Sequence, residues 1–346
     1  MSIVGGFDVH RKQITFDYVD TVTGEVQRGQ IGCADRGRLA AWLSQRFAGR
    51  GDVAFAVEGC TGWRYVVEEL ARAGVAAHLA EPAETAAARG PKRRAKTDRA
   101  DARLIRELLE GDRIPECWIP PSQVLEARAL LETYHDLRRE HTAWVQRIHA
   151  VLFHQGACQL GPGGLGPPEG RDRLAEISAG QLSAAGQRQV ATDLAMLEAC
   201  EAQLEPLRRQ LVRVAGHLRG AKVLAESLYG VGPITGLALV CWLGGADRFT
   251  SARKAIRFTG LDITVYSSAG KRSPGHLSRQ GPPVLRWCVY EAGKTHARGG
   301  APDHGYYTSV KDRIDGKRAA LSEARKIVRK ACHRLTELGD DAFTTV

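Results

Sequence analysis

No two of the eight cysteines form a CxxC pair, which excludes a zinc ribbon and a thioredoxin-type redox motif. They are spread singly from Cys33 to Cys332, so most are expected to be small buried apolar side chains in a reducing cytoplasm. No stretch of about 18 apolar residues occurs, which excludes a membrane-spanning helix. Met1 to Lys12 contains no basic segment followed by an apolar run, so no secretory leader is expected and the chain reads as cytoplasmic. A P-loop is also lacking, as are internal repeats and long low-complexity segments.

What is there is a chain of 346 residues, enough for two or three domains with cores of their own. Hydrophobic residues make up 43% and charged residues 25%, ordinary for a globular protein. Lys and Arg outnumber Asp and Glu by 49 to 39, a net charge of +10. That surplus favours a polyanionic partner, because each neutralised phosphate releases a counterion. Charge alone equally fits a merely basic, soluble protein.

Along the chain the fold class reads as α/β plus α. Ile3 to Phe7, Gln13 to Val19, Val53 to Val57 and Val75 to Leu79 are predicted strands, with a hairpin turn at Thr23-Gly24-Glu25. Leu39, Trp42, Leu43 and Phe47 fall at helical spacing within Arg36 to Phe47. Trp63 to Ala73 and Asp101 to Leu109 are also predicted helices. Hairpin-paired strands followed by alternating strands and helices predict a mixed sheet with helices packed on it. In the middle third, Leu130, Leu137, Trp144 and Val151 fall seven apart, with Tyr134 and Ile148 between them. After the Gly/Pro-rich break at Gly161 to Gly170, Val190, Leu197, Leu204, Leu211 and Leu218 repeat the same period. Leu194, Cys200, Leu207 and Val214 fill the alternate positions, and Pro206 is expected to kink the second segment. The pattern fits an antiparallel helical hairpin, a coiled coil between protomers, or two core helices of a bundle. Three regions result: 1–115, 116–221 and 222–346.

Asp8 and Glu58 each stand at the C-terminal end of a predicted strand, where open α/β sheets place their sites. Asp98 and Asp101 are three residues apart, so a helix starting near Asp98 presents both on one face. Four converging carboxylates repel one another unless cations lie between them, and hard oxygen donors of this kind suit Mg2+. The preceding run, Lys92, Arg93, Arg94 and Lys96, attracts a phosphate backbone to the same place. Singly, each acid has a bland reading, such as an N-cap at Asp98. Together they have the layout of the ribonuclease H-like nuclease fold.

These residues resemble a known family. Gly6-Phe7-Asp8-Val9-His10-Arg11-Lys12, Val57-Glu58-Gly59-Cys60-Thr61-Gly62 and Lys96-Thr97-Asp98-Arg99-Ala100-Asp101-Ala102 look like the three acidic motifs of the DEDD transposases. These are insertion-sequence enzymes related to the Piv DNA invertases. Gly230-Val231-Gly232, Phe258-Thr259-Gly260-Leu261, Tyr266-Ser267-Ser268 and Leu277-Ser278-Arg279-Gln280-Gly281 are similar to the family's second conserved domain. The resemblance spans nearly the whole chain and is least specific in the helical middle. It implies a RuvC/ribonuclease H-like N-terminal domain, a helical coiled-coil middle and a mainly helical C-terminal transposase domain.

The resemblance also implies an activity. Family members are recombinases guided by a structured non-coding RNA, the bridge RNA, which pairs with donor and target DNA. Their serine nucleophile forms a covalent 5′-phosphoserine, and motif matching makes it Ser268. Relatives often carry glycine after that serine, whereas Ala269-Gly270 follows here, so Ser267 stays the alternative. Pro282-Pro283 is a further departure, expected to stiffen the turn. By this reading Asp8, Glu58, Asp98 and Asp101 bind Mg2+, while Lys92, Arg93, Arg94, Lys96, Arg99, Lys271, Arg272 and Arg279 contact nucleic acid. The expected partners are donor and target DNA, a guide RNA and further copies of the chain in a dimer or tetramer, with no membrane. Gly230-Val231-Gly232 is either a phosphate-holding helix-hairpin-helix turn or an ordinary cap. Arg318, Arg325 and Arg329 share a helical face that either tracks nucleic acid or is simply solvated. The runner-up function is a metal-dependent, Holliday-junction-type structure-specific endonuclease, which uses the same acids and needs no serine; a third, a nucleic-acid-binding protein with an inactive nuclease fold, is argued against by the intact acidic set.

Overall fold

Apolar residues alternate through the first strands, and in the computed structural model they form one sheet; the structure describes residues 1–90, 97–161, 163–268, 271–273 and 275–346. It divides into two compact units, Met1–Ile119 and Pro120–Val346.

The first unit is mixed α/β. Its strands are β1 (Ile3–Val9), β2 (Gln13–Asp20), β3 (Val26–Gly32), β4 (Val53–Glu58) and β5 (Ala76–Ala80). Its helices are α1 (Arg36–Phe47), α2 (Trp63–Arg72), α3 (Pro82–Ala88) and α4 (Asp98–Glu110). The five strands lie in the order β3-β2-β1-β4-β5. β1, β2 and β3 pair antiparallel, and β1, β4 and β5 pair parallel. The tight hairpins at one side and the helical crossovers at the other follow from that pairing. Phe7, Phe55 and Val57 on the sheet meet Leu39, Trp42, Val66 and Leu70 of α1 and α2 in one core. Phe7 stacks on Phe55 with ring centroids 4.5 Å apart. α4 packs across β1, β2 and β4, on the side of the sheet that Gly6 faces.

The second unit is mainly helical. It holds α5 (Ser122–His154), α6 (Pro168–Gln181), α7 (Ala184–His217), α8 (Arg219–Ser227), α9 (Pro233–Leu243) and α10 (Ala252–Phe258). A two-stranded ribbon, β6 (Tyr266–Ser268) and β7 (Lys271–Ser273), follows, then α11 (Pro283–Lys294), α12 (His304–Arg313) and α13 (Gly316–Leu338). α5 and α7 pack as an antiparallel pair within the chain. Gln155 Oε1 accepts from Ser183 N at 2.8 Å at one end, and His141 lies 3.3 Å from Glu201 further along. Val190, Leu197, Leu204, Leu211 and Leu218 are all buried, as their period requires. Tyr134 and Ile148 of the first set are buried as expected, whereas Leu130, Leu137, Trp144 and Val151 are only half-buried and Leu131 and Leu152, one residue beyond Leu130 and Val151, are buried instead. α7 runs through Pro206 as one helix. No helix among the described residues is long and apolar enough to cross a membrane.

None of the eight cysteines forms a disulfide. Cys200, Cys241, Cys288 and Cys332 are buried, but Cys33 and Cys158 are exposed.

Candidate active site

A glycine sets the geometry. A Cβ at Gly6 would lie 2.3 Å from the Ala102 carbonyl oxygen and 2.6 Å from the Arg106 nitrogen. Only glycine lets the α4 backbone come this close to β1. Side chains alternate along a strand, so Asp8, two residues on, faces the same side as Gly6. The parallel register pairs Phe7 with Val57, which makes Asp8 and Glu58 the next neighbours, on that same face. α4 begins there too. Its N-cap is Thr97, whose Oγ1 accepts from Ala100 N at 3.2 Å. The Asp98 carboxylate is therefore not spent on capping the helix.

Asp8, His10 and Asp98 converge, with ligand atoms all within 4.8 Å of one another. His10 Nε2 stands 3.1 Å from Asp8 Oδ2 and 3.4 Å from Asp98 Oδ1. The Gln13 side-chain amide donates to Asp98 Oδ2 at 3.2 Å. Burial pushes the Asp8 carboxyl above its ordinary value; His10 opposes the shift, and the charges of Asp98 and Asp101 add to it. Asp101 is nearly buried, and the guanidinium of Arg89 binds its Oδ1. Burial also raises the Cys60 thiol, with the charges of Asp8 and Glu58 contributing. A protonated thiol there is a poor nucleophile. A cavity of about 350 Å³ opens at this end of the strands, lined by His10, Arg11, Cys60, Thr61, Gly62 and Tyr65 among others.

The structure thus brings Asp8 and Asp98 together and sets Glu58 and Asp101 around them without closing all four into one cluster. It adds His10, Gln13 and Arg89, which the sequence reading passed over. His10 was visible in the first motif, but its place between two carboxylates separated by ninety residues of chain has no sequence signal. The donors fit a divalent cation: carboxylate oxygens of Asp8 and Asp98 lie within reach of a single ion, and Asp8 carries an unfavourable charge that a cation would relieve.

Of the expected nucleic-acid contacts, Lys92, Arg93, Arg94 and Lys96 lie outside the described residues, and Arg99 is exposed on α4. Arg11 and Lys12 are further exposed cations beside the acids in sequence. Ser267, Ser268, Lys271 and Arg272 belong to the second unit. Their backbones pair as Ser267 with Arg272 and Ser268 with Lys271, so Ser268 ends β6. The same ladder continues down through Thr264 N to His276 O at 2.8 Å and Ser278 N to Asp262 O at 3.0 Å. Arg279 is exposed and takes a left-handed backbone, φ 53°, with its N–H bonded to Gly260 O at 3.2 Å. Arg325 does not face outward with Arg318: it is half-buried and donates to Leu261 O at 2.7 Å, holding the base of the ribbon on α13.

Residues 5–154 match the IS110-type DEDD model of a family described as "Transposase". Residues 222–308 match the family described as "Transposase IS116/IS110/IS902 family". A Pseudomonas aeruginosa protein named "Probable family 20 transposase" is 25% identical over 250 residues, covering 70% of this chain and 71% of its own length.

Proposed function

Because the chain belongs to the DEDD transposases of insertion sequences, enzymes that process DNA, we propose that it exchanges DNA strands under the direction of a structured RNA, through a covalent 5′-phosphoserine. The observation that carries the DNA-cutting half of this reading is the meeting of Asp8 and Asp98 around His10 at the strand ends. The strand order β3-β2-β1-β4-β5, with its antiparallel and parallel halves, supports reading the first unit as RuvC/ribonuclease H-like.

Asp8, Glu58, Asp98 and Asp101 are the residues proposed to hold a divalent cation, Mg2+ by the hardness of their oxygens. Bound there, it would supply positive charge to the non-bridging oxygens of a scissile phosphate. The protein's own groups do the rest. Gln13 and His10 orient Asp98 and Asp8, and Arg89 fixes Asp101. Arg99 and Arg279 are exposed cations proposed to bind the phosphate backbone, together with Lys92, Arg93, Arg94, Lys96, Lys271 and Arg272. The Ser268 oxygen forms an ester bond to a 5′ phosphorus as the bond to the 3′ oxygen breaks. The serine loses its proton and the 3′ oxygen gains one, so the number of phosphoester bonds is unchanged and no ATP is needed. Two duplexes must be cut together, which favours a homo-oligomer, a dimer or tetramer.

The test is to purify the protein with RNA transcribed from its own flanking locus and supply donor and target DNA with Mg2+. A covalent protein–DNA adduct is expected, and it should fail to form when ribonuclease removes the RNA before the DNA is added. Free 5′-phosphate ends without an adduct would favour hydrolysis by a junction-type endonuclease instead. Recombination at full rate after ribonuclease treatment would remove the guide RNA from the mechanism.

A further inference from the structure

In the second unit, Glu323 on α13 is wholly buried, with a side-chain exposure of 0%. Lys326 Nζ lies 3.0 Å from its Oε1, but Oε2 has no hydrogen-bond partner. The His296 side chain, in the turn after α11, is 4% exposed, and neither ring nitrogen has a partner. Buried polar atoms are nearly always satisfied, so three orphans at one point need an occupant. His296 Nδ1 and Glu323 Oε2 stand 3.6 Å apart, too far for a charge-assisted hydrogen bond. Two ligand atoms at about 2.0–2.1 Å from one tetrahedral ion lie about 3.4 Å apart, close to that separation. Asp303, the N-cap residue of α12, brings a third donor, and the ligand atoms all fall within 4.8 Å of one another. They border a cavity of about 160 Å³.

We propose that His296, Asp303 and Glu323 form a second cation site, separate in sequence and chemistry from the acids of the first unit, which takes one divalent transition-metal ion of the Zn2+ class. His296 is buried with both ring nitrogens unpartnered, so an imidazole nitrogen joins two carboxylates here, a set that favours Zn2+ or Co2+ over Mg2+ and Ca2+, which prefer all-oxygen shells; His10 of the first unit is instead exposed and already bonded to Asp8. Lys326 and Lys330 lie 3.8 and 3.6 Å from Asp303. Lys326 is also held over the Tyr306 ring, 3.4 Å from its centroid, and takes the Oε1 side of Glu323, leaving the Oε2 side to the metal. The ion would tie α13 to the segment joining α11 and α12, a structural role that does not depend on the recombinase reading.

Full-length protein, stripped with a chelator, is titrated with Co2+ and followed by its d–d absorption; Zn2+ retained after gel filtration is counted by mass spectrometry. The wild type should hold one more equivalent than His296→Gln or Asp303→Asn. An Asp8→Asn/Asp98→Asn double variant should keep that equivalent. Asp303 is only half-buried, so its variant keeps the test sound if His296→Gln unfolds by circular dichroism. Equal metal content in wild type and Asp303→Asn, or no Co2+ bound by the wild type, would overturn the proposal and assign the cavity to bridging water.

Discussion

Arg106 of α4 donates through Nε to Asp17 of β2 at 2.6 Å, and both side chains are buried. The carboxylate also accepts from Arg28 Nε at 2.7 Å. This pair pins α4 to the sheet eight residues beyond Asp98, so it sets where the first turn of α4 presents its acids. Removing Asp17 takes away its bonds to Arg106 and Arg28 but leaves Arg106 paired with Glu110 at 2.5 Å, so the cost is that of lost charge-assisted hydrogen bonds, about 1.5–3 kcal/mol. Asp17→Ala should shift the urea midpoint of the protein downward by a corresponding amount. An unchanged midpoint would mean that the pair contributes nothing to holding α4.

Gly6 should be intolerant of the smallest side chain. The atoms a Cβ would meet belong to the α4 backbone, which cannot rotate away as a side chain can. Overpacking of this kind costs about 1–3 kcal/mol and displaces the helix. Gly6→Ala is expected to lose strand-exchange activity by more than its loss of stability explains, because Asp98 moves with α4. Full activity together with wild-type thermal stability would contradict this geometry.

How much of this was legible beforehand follows from the kind of interaction. α1 is found at Arg36–Phe47, as its apolar spacing predicts, because periodicity records burial directly. The second heptad set is buried at all five of its positions for the same reason. In the first set Tyr134 and Ile148 are buried as expected, but Leu131 and Leu152 are buried in place of Leu130 and Val151, because two apolar residues stand side by side at each point and spacing does not choose between them. Contacts such as Arg106–Asp17 and Arg89–Asp101 have no period at all. Their partners come together only once β2, α3 and α4 have docked. Arg325 looked like part of a basic surface stripe until the ribbon's carbonyl gave it a buried partner.

Each of the four acids should be needed for strand exchange. Asp8→Ala, Glu58→Ala, Asp98→Ala and Asp101→Ala are expected to abolish it while circular dichroism stays unchanged, and each should weaken Mg2+ binding measured by calorimetry. Asp8 and Asp98 should weaken it most, being the carboxylates that share His10. Recombination at the wild-type rate by two of these variants, with Mg2+ as the sole divalent ion, would sink the assignment.

Cysteine reactivity should follow burial. The thiols of Cys241 and Cys288 are pushed up to about 12 by desolvation, which leaves almost no thiolate near neutral pH. Cys33 and Cys158 are exposed. A maleimide reagent at neutral pH should label Cys33 and Cys158 quickly and reach Cys241 and Cys288 only after denaturation. Mass mapping of a short labelling pulse checks this. Early labelling of Cys241 would show that α9 is not a buried helix.

Ser268 is the proposed nucleophile, and its position sharpens the test. It ends β6 opposite Lys271, while Ser267 pairs one step earlier with Arg272. A backbone held in a ladder fixes the register of its residues, so the two serines are not interchangeable by a small slip of the chain. A hydroxyl is a weak nucleophile until a base or a polarised phosphate activates it, and its ester conserves the bond needed for religation. Ser268→Ala should therefore bind RNA and DNA as the wild type does, yet form no covalent adduct. Ser268→Cys should retain weak activity, since a thiolate attacks phosphorus but its phosphorothiolate differs in geometry and leaving ability. Ser267→Ala should reduce the rate only modestly, through distortion of the ribbon. Peptide mapping of the trapped adduct decides the matter. Phosphate on Ser267 would mean that Ala269-Gly270 moves the motif by one residue, and an adduct on Tyr266 would replace the serine mechanism with a tyrosine one.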